Sequence, residues 1–158
     1  MGKEKQGIPA SIIRDMGQFP QLPASQWSFC RGDQVFTLNY RPLSYEDQEA
    51  IDAMFPPPVP PLKEVTDEKE RLKRAALKMP LAEPDSEDPE YKRQVSQYQV
   101  QRSLAHVWKA LGWELGFDEF ASTLKQKLTP AELLDFARTV TLASYHIDQE
   151  RVKSFFAS

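Results

Sequence analysis

The sequence predicts an α+β fold that is mostly α: an N-terminal β-hairpin with a short helix, a proline-rich connector and a C-terminal helical bundle. Three observations carry that expectation. Two short apolar runs flank Gly32-Asp33, which is hairpin chemistry. Eight residues from Phe55 to Leu62 contain five prolines, which forces an extended connector. From Asp88 onward, apolar residues recur at helical spacing, punctuated by capping signals.

Residues 1–26 are broken by Pro9, Gly17, Pro20 and Pro23 and read as a flexible N-terminal arm. An alternative is a docking peptide anchored by Ile12, Ile13, Phe19 and Leu22. Residues 27–62 form the second segment. Strands Trp27–Arg31 and Gln34–Tyr40 flank a turn whose glycine stands at the first central position of a type II′ turn. Pairing Arg31 with Gln34 sets Phe29 opposite Phe36 and Trp27 opposite Leu38, so one face is apolar and should lie on helices. A further strand, or pairing with another chain, would support two strands that are marginal alone. Arg31-Gly32-Asp33 also spells a cell-adhesion tripeptide, but turn geometry accounts for the glycine. Ser44 opens a helix over Tyr45–Met54, with Asp47 placed to complete a capping box. Tyr45, Ile51, Met54 and Phe55 are its inward candidates. The prolines that follow read as a rigid spacer; a proline-rich ligand is the alternative.

Residues 63–87 form a charged helix, capped by Thr66, and an acidic linker, which is the clearest internal boundary. Residues 88–158 form the helical domain. Asp88 and Pro89 start a helix that runs to Leu111, and Gly112 stops it. Val100, Leu104, Val107, Trp108 and Leu111 share one face, extended by Val95 and Tyr98. A second helix runs from Asp118 to Lys127. Thr129-Pro130-Ala131-Glu132 starts a third, reaching about Tyr145. Asp148 caps a last short helix carrying Val152, Phe155 and Phe156.

A formal charge of −3 argues against a general nucleic-acid binder, which would show a basic face. One cysteine excludes an internal disulfide. No apolar run reaches the roughly 20 residues that span a bilayer, so no membrane role is expected and a cytoplasmic location is. No phosphate loop, dinucleotide fingerprint or paired-cysteine metal site is present. His106 and His146 share no motif with a carboxylate, and Cys30 has no activating neighbour in sequence. No catalytic residue, metal ligand or cofactor is therefore assigned, and the chain is not expected to be an enzyme. What remains is a heavy aromatic load in a helical unit of roughly 70 residues, a size at which some apolar groups stay at the surface. The candidate protein-binding groove is lined by Val107, Trp108, Leu111, Trp113 and Phe117, with Phe155 and Phe156 at its edge.

The order of elements carries a resemblance. An apolar hairpin leads into Tyr40-Arg41-Pro42-Leu43-Ser44-Tyr45-Glu46-Asp47, a helix, and Met54-Phe55-Pro56-Pro57-Pro58. A helical part follows with Leu128-Thr129-Pro130-Ala131-Glu132-Leu133-Leu134 and a closing segment with Asp148 and Val152. Over about residues 27–157 this resembles the tail assembly chaperones of long-tailed bacteriophages. The resemblance implies a non-virion assembly factor in the host cytoplasm. Such a protein binds the long tape measure protein and recruits tail tube subunits around it. Many members also exist as a longer frameshifted form, to which this chain would be the short counterpart. A homo-oligomer is compatible with that role. The alternative function is a structural or adaptor component of a virion or other protein complex.

Overall fold

Local signals set the ends of nearly every element. In the computed structural model, which describes residues 12–145, Asp15 caps a short 3-10 turn at Met16–Gln18. Strands β1 (Ser25–Arg31) and β2 (Gln34–Tyr40) form the hairpin. Their register pairs Arg31 with Gln34, Phe29 with Phe36 and Trp27 with Leu38, as the apolar pattern requires. Gly32 has φ +58° and Asp33 stays at negative φ, the type II′ arrangement. No third strand joins this sheet among the described residues.

Helix α1 (Tyr45–Met54) begins at a complete capping box between Ser44 and Asp47. Ile51 is fully buried, whereas Tyr45 is 82% exposed and points away from the core, against expectation. Tyr45 is the first helical residue, and the face of α1 that meets the core lies a turn and a half further on, at Ile51 and Met54.

The segment read as a charged helix with an acidic linker closes on itself. Strand β3 (Leu62–Glu64) pairs antiparallel with β4 (Ala82–Pro84), and α2 (Glu68–Ala76) joins them. Residues Ala82–Pro84 are thus ordered by pairing, not left as a linker. Arg74 holds the unit: its guanidinium lies 3.1 Å from Glu70 and 2.9 Å from Glu83. Asp67, not Thr66, caps α2, with its carboxylate accepting from the Lys69 amide. The helix ends in a Schellman turn. Met79 N–H donates to the Arg74 carbonyl and Lys78 N–H to that of Ala75, with Lys78 at φ +53°.

Helix α3 (Pro89–Leu111) has Asp88 as its cap and Gly112, at φ +62°, as its left-handed stop. Helices α4 (Phe117–Lys127) and α5 (Pro130–Ser144) complete the bundle, α5 starting at a capping box between Thr129 and Glu132. The fold is α+β, with 53% helix against 15% strand among the described residues. No helix among the described residues is long and apolar enough to cross a membrane.

One hydrophobic cluster joins the hairpin, α1 and the bundle through Trp27, Tyr40, Ile51, Leu104, Val107, Phe120, Phe136 and Val140, among others. Phe136 of α5 is its pivot. Trp27 stacks on it at 4.3 Å and 3°, and Tyr40 meets its edge at 5.8 Å. The Trp27 indole N–H donates to Asp135 at 2.8 Å. Arg31 donates to the Lys127 carbonyl and to Glu132, tying the tip of β1 to the start of α5. Where the chain leaves β2, the Arg41 amide bonds the Ala110 carbonyl and the Leu43 amide bonds Ser144 Oγ.

This architecture sets two expectations for stability. Phe136→Ala removes the ring between Trp27 and Tyr40 and should cost about 3–5 kcal/mol in urea unfolding, with loss of the near-ultraviolet tryptophan signal. Lys78→Gly relieves the left-handed conformation and should strengthen the β3–α2–β4 unit by about 1 kcal/mol. Hydrogen exchange at the Val65 and Met79 amides, bonded to Leu81 and Arg74, should then slow by about fivefold.

Candidate partner-binding surface

The aromatic residues singled out in sequence divide between core and surface. Val107 is fully buried and offers no area to a partner. Trp108, Leu111 and Phe117 are half-buried and pack against the core. Trp108 and Phe117 meet edge to face at 5.5 Å, and Phe55 meets Phe117 in the same way at 5.5 Å. The Trp108 indole donates to the Leu115 carbonyl at 2.9 Å, and Lys109 Nζ lies 4.9 Å from a ring centroid of Trp108. Trp113 is 47% exposed and sits against Phe120, apart from the Phe55–Trp108–Phe117 group. Phe155 and Phe156 lie outside the described residues, as does His146. Trp108 and Phe117 are therefore brought together with Phe55, while Val107 belongs to the interior.

A concavity lies on the other half of α3. A groove of about 710 Å³ is lined by Phe55, Pro56 and Pro58 on one wall, by Gln94, Gln97, Tyr98 and Val100 on its floor, and by Lys125 beyond. A smaller groove of about 240 Å³ continues from Val100 and Lys125 to Leu128 and Leu133. Helix length explains this opening. At 1.5 Å per residue α3 is about 35 Å long, α5 about 22 Å and α4 about 16 Å. Among the described residues, the partners bury only the C-terminal half of α3. All its buried residues, Leu104, Ala105, Val107 and Ala110, fall there. Val100, expected on the buried stripe, is 41% exposed, and Tyr91, Val95 and Tyr98 are only half-buried. The sequence carried the signal: the apolar stripe of α3 is longer than either helix behind it.

A second depression, of about 430 Å³, lies between α3 and α5 and includes Arg102, His106, Leu134, Ala137 and Arg138. Arg102 pairs with Asp52 at 2.7 Å, joining α3 to α1. His106 Nδ1 lies 2.6 Å from the Arg102 carbonyl. That contact requires Nδ1–H as donor, since a carbonyl only accepts. Burial pulls the imidazole below its ordinary value of 6.5, against the opposing pull of this hydrogen bond. Cys30 is exposed, and no cluster of three or more His, Cys, Asp or Glu side chains among the described residues is arranged to hold a metal ion. The arrangement presents apolar and amide surface, with one neutral imidazole at its edge.

The lowered His106 pKa sets a pH dependence. Unfolded histidine takes up its proton first as pH falls, so this group favours the native state above about pH 6.5 and loses that contribution as pH drops through the folded value. Unfolding free energy should therefore decline as pH falls below about 6.5, and His106→Asn should flatten that decline in urea titrations at each pH.

Comparison of the chain with protein-family models, with curated proteins and with solved structures finds no match.

Proposed function

We propose that the protein is a non-catalytic assembly chaperone that binds a long helical client, in the manner of the phage tail assembly chaperones its element order resembles. The client in that reading is the tape measure protein, and the complex recruits tail tube subunits. The supporting observation is the groove between Pro56–Pro58 and the uncovered half of α3. Two rigid walls, a proline-rich segment and a helix, hold it open without a client present. Its floor mixes aromatic and aliphatic groups with glutamine amides, which suits an amphipathic helix laid along it. Apolar groups then gain burial, and Gln94 and Gln97 satisfy polar positions at the margin. Repeated sites along one client would add avidity to a modest single contact.

The test is co-expression with a tape measure protein and affinity capture of the complex, using Tyr98→Ser combined with Val100→Glu. Neither side chain is part of the buried core, so far-ultraviolet helicity should be retained while capture falls at least about tenfold, the effect of losing an apolar anchor. Undiminished capture by the variant would remove the groove from the client site. Stoichiometric retention of the chain in mature particles would replace the chaperone reading with that of a structural component.

A further inference from the structure

Strand β2 is an open edge, and its sequence is self-complementary. The two-residue turn makes Arg31–Gln34 a hydrogen-bonded pair, so the register makes Phe29–Phe36 and Trp27–Leu38 hydrogen-bonded pairs too. The intervening residues Val35, Thr37 and Asn39 then direct their backbone N–H and C=O groups away from β1. No backbone group of these three bonds to an element beyond the hairpin among the described residues. Gln34 to Thr37 are all exposed, Val35 at 66% and Phe36 at 43%. The outer edge of β1, at Gln26, Ser28 and Cys30, also lacks backbone partners among the described residues, but β1 ends in the charge of Arg31, whose guanidinium bonds the Lys127 carbonyl and Glu132 at the α4–α5 junction.

Native edges are commonly guarded by lysine, proline or a bulge. β2, Gln34-Val35-Phe36-Thr37-Leu38-Asn39-Tyr40, carries no charge and no proline. Every residue of β1 from Ser25 to Arg31 has one partner in β2, so no bulge interrupts it. We propose that the outer edge of β2 pairs antiparallel with β2 of a second copy, across a two-fold axis at Thr37.

The pairing satisfies both backbone and side chains. With Thr37 facing Thr37 of the second copy, Val35 faces Asn39 and Asn39 faces Val35. These are the residues whose amides and carbonyls point outward, so the seam closes six hydrogen bonds. Phe36 then lies opposite Leu38 on the face that already carries Trp27 and Phe29. The apolar face thereby becomes continuous over four strands, which answers the marginal stability of a two-stranded sheet. A shift by one residue would direct paired backbone groups away from each other, so the register is fixed. The seam is short. Only three residues of each β2 contribute backbone bonds to it, so a dissociating dimer is expected and not a permanent one.

The experiment uses the full chain. Sedimentation velocity over a wide concentration range should show monomer passing to dimer. Amide exchange at high concentration should slow by about tenfold or more at Val35, Thr37 and Asn39, with little change at Phe36 and Leu38, whose amides already serve the hairpin. Thr37→Lys sets two ammonium groups face to face and should weaken the dimer by about tenfold or more, with the tryptophan spectrum unchanged. A monomer at every concentration overturns the proposal. So does protection at Gln26, Ser28 and Cys30, which would put the seam on β1. Protection at Val35, Thr37 and Asn39 in a chain that stays monomeric, or only after a client peptide is added, assigns the edge to another segment or another protein and equally overturns it. The exchange pattern is read on the unmodified chain, so it decides the matter even if Thr37→Lys fails to fold.

Discussion

The fold depends on the seating of one ring. Phe136 lies between an indole from β1 and a phenol from β2, so one residue of α5 fixes both strands of the hairpin. A two-stranded sheet has one face to bury and little of its own to bury it against. The Trp27–Phe136 stack supplies that burial, and polar links at the rim fix its direction. The indole to Asp135, Arg31 to Glu132, and the Leu43 amide to Ser144 all end on α5. The hairpin is thereby pinned to a helix some hundred residues later in the chain, and α1 is delivered to α3 as a consequence. The Arg102–Asp52 pair then adds a partly exposed contact, of the kind that contributes at most about 1 kcal/mol by itself.

A second constraint is the mismatch between α3 and its partners. The C-terminal half of α3 is buried by α4, α5 and the hairpin exit. Among the described residues, the N-terminal half has beside it Phe55, the Pro56–Pro58 wall and Lys125 of α4, and none of its own residues is buried. Helices in water draw most of their stability from packed faces. The exposed turns of α3 lean on local devices instead: the Asp88 cap, Pro89 at the first position, and the Glu90–Arg93 pair. These devices hold the helix in register without covering Tyr91, Val95 and Tyr98. A preformed helix with an uncovered apolar face would meet a client with its ordering entropy already spent.

Much of this was legible in residue order. Ser44 with Asp47, Thr129 with Glu132, Asp88 with Pro89, and Gly112 each act through their own backbone neighbours, so their meaning survives without tertiary information. The hairpin register follows from a two-residue turn and a period of two. Other features depend on what is nearby in space. Ala82-Glu83-Pro84 looks like an acidic linker because its ordering comes from β3, some twenty residues earlier, and from Arg74. Val107 and Trp108 are neighbours on one stripe, yet Val107 faces the interior and Trp108 its margin. Periodicity reports a face, not the depth to which each residue on it sinks. The groove at Phe55 and Tyr98 required comparing helix lengths, a signal present in the sequence but not in any motif.

The two exposed features differ in kind, and that difference governs how they combine. The groove offers side chains, held apart by prolines that no ligand need rearrange. The β2 edge offers backbone groups, which are indifferent to the partner's side chains except through register. The edge residues Val35, Thr37 and Asn39 line no part of the groove. Occupying one therefore consumes nothing that the other uses. A pair of chains joined at β2 would carry two identical grooves related by a two-fold axis. A client with recurring apolar segments would meet the second groove at an effective concentration set by the rigid bundle between them. A weak edge suits that role, because copies can join and part as the client fills, where a permanent dimer would fix the spacing in advance.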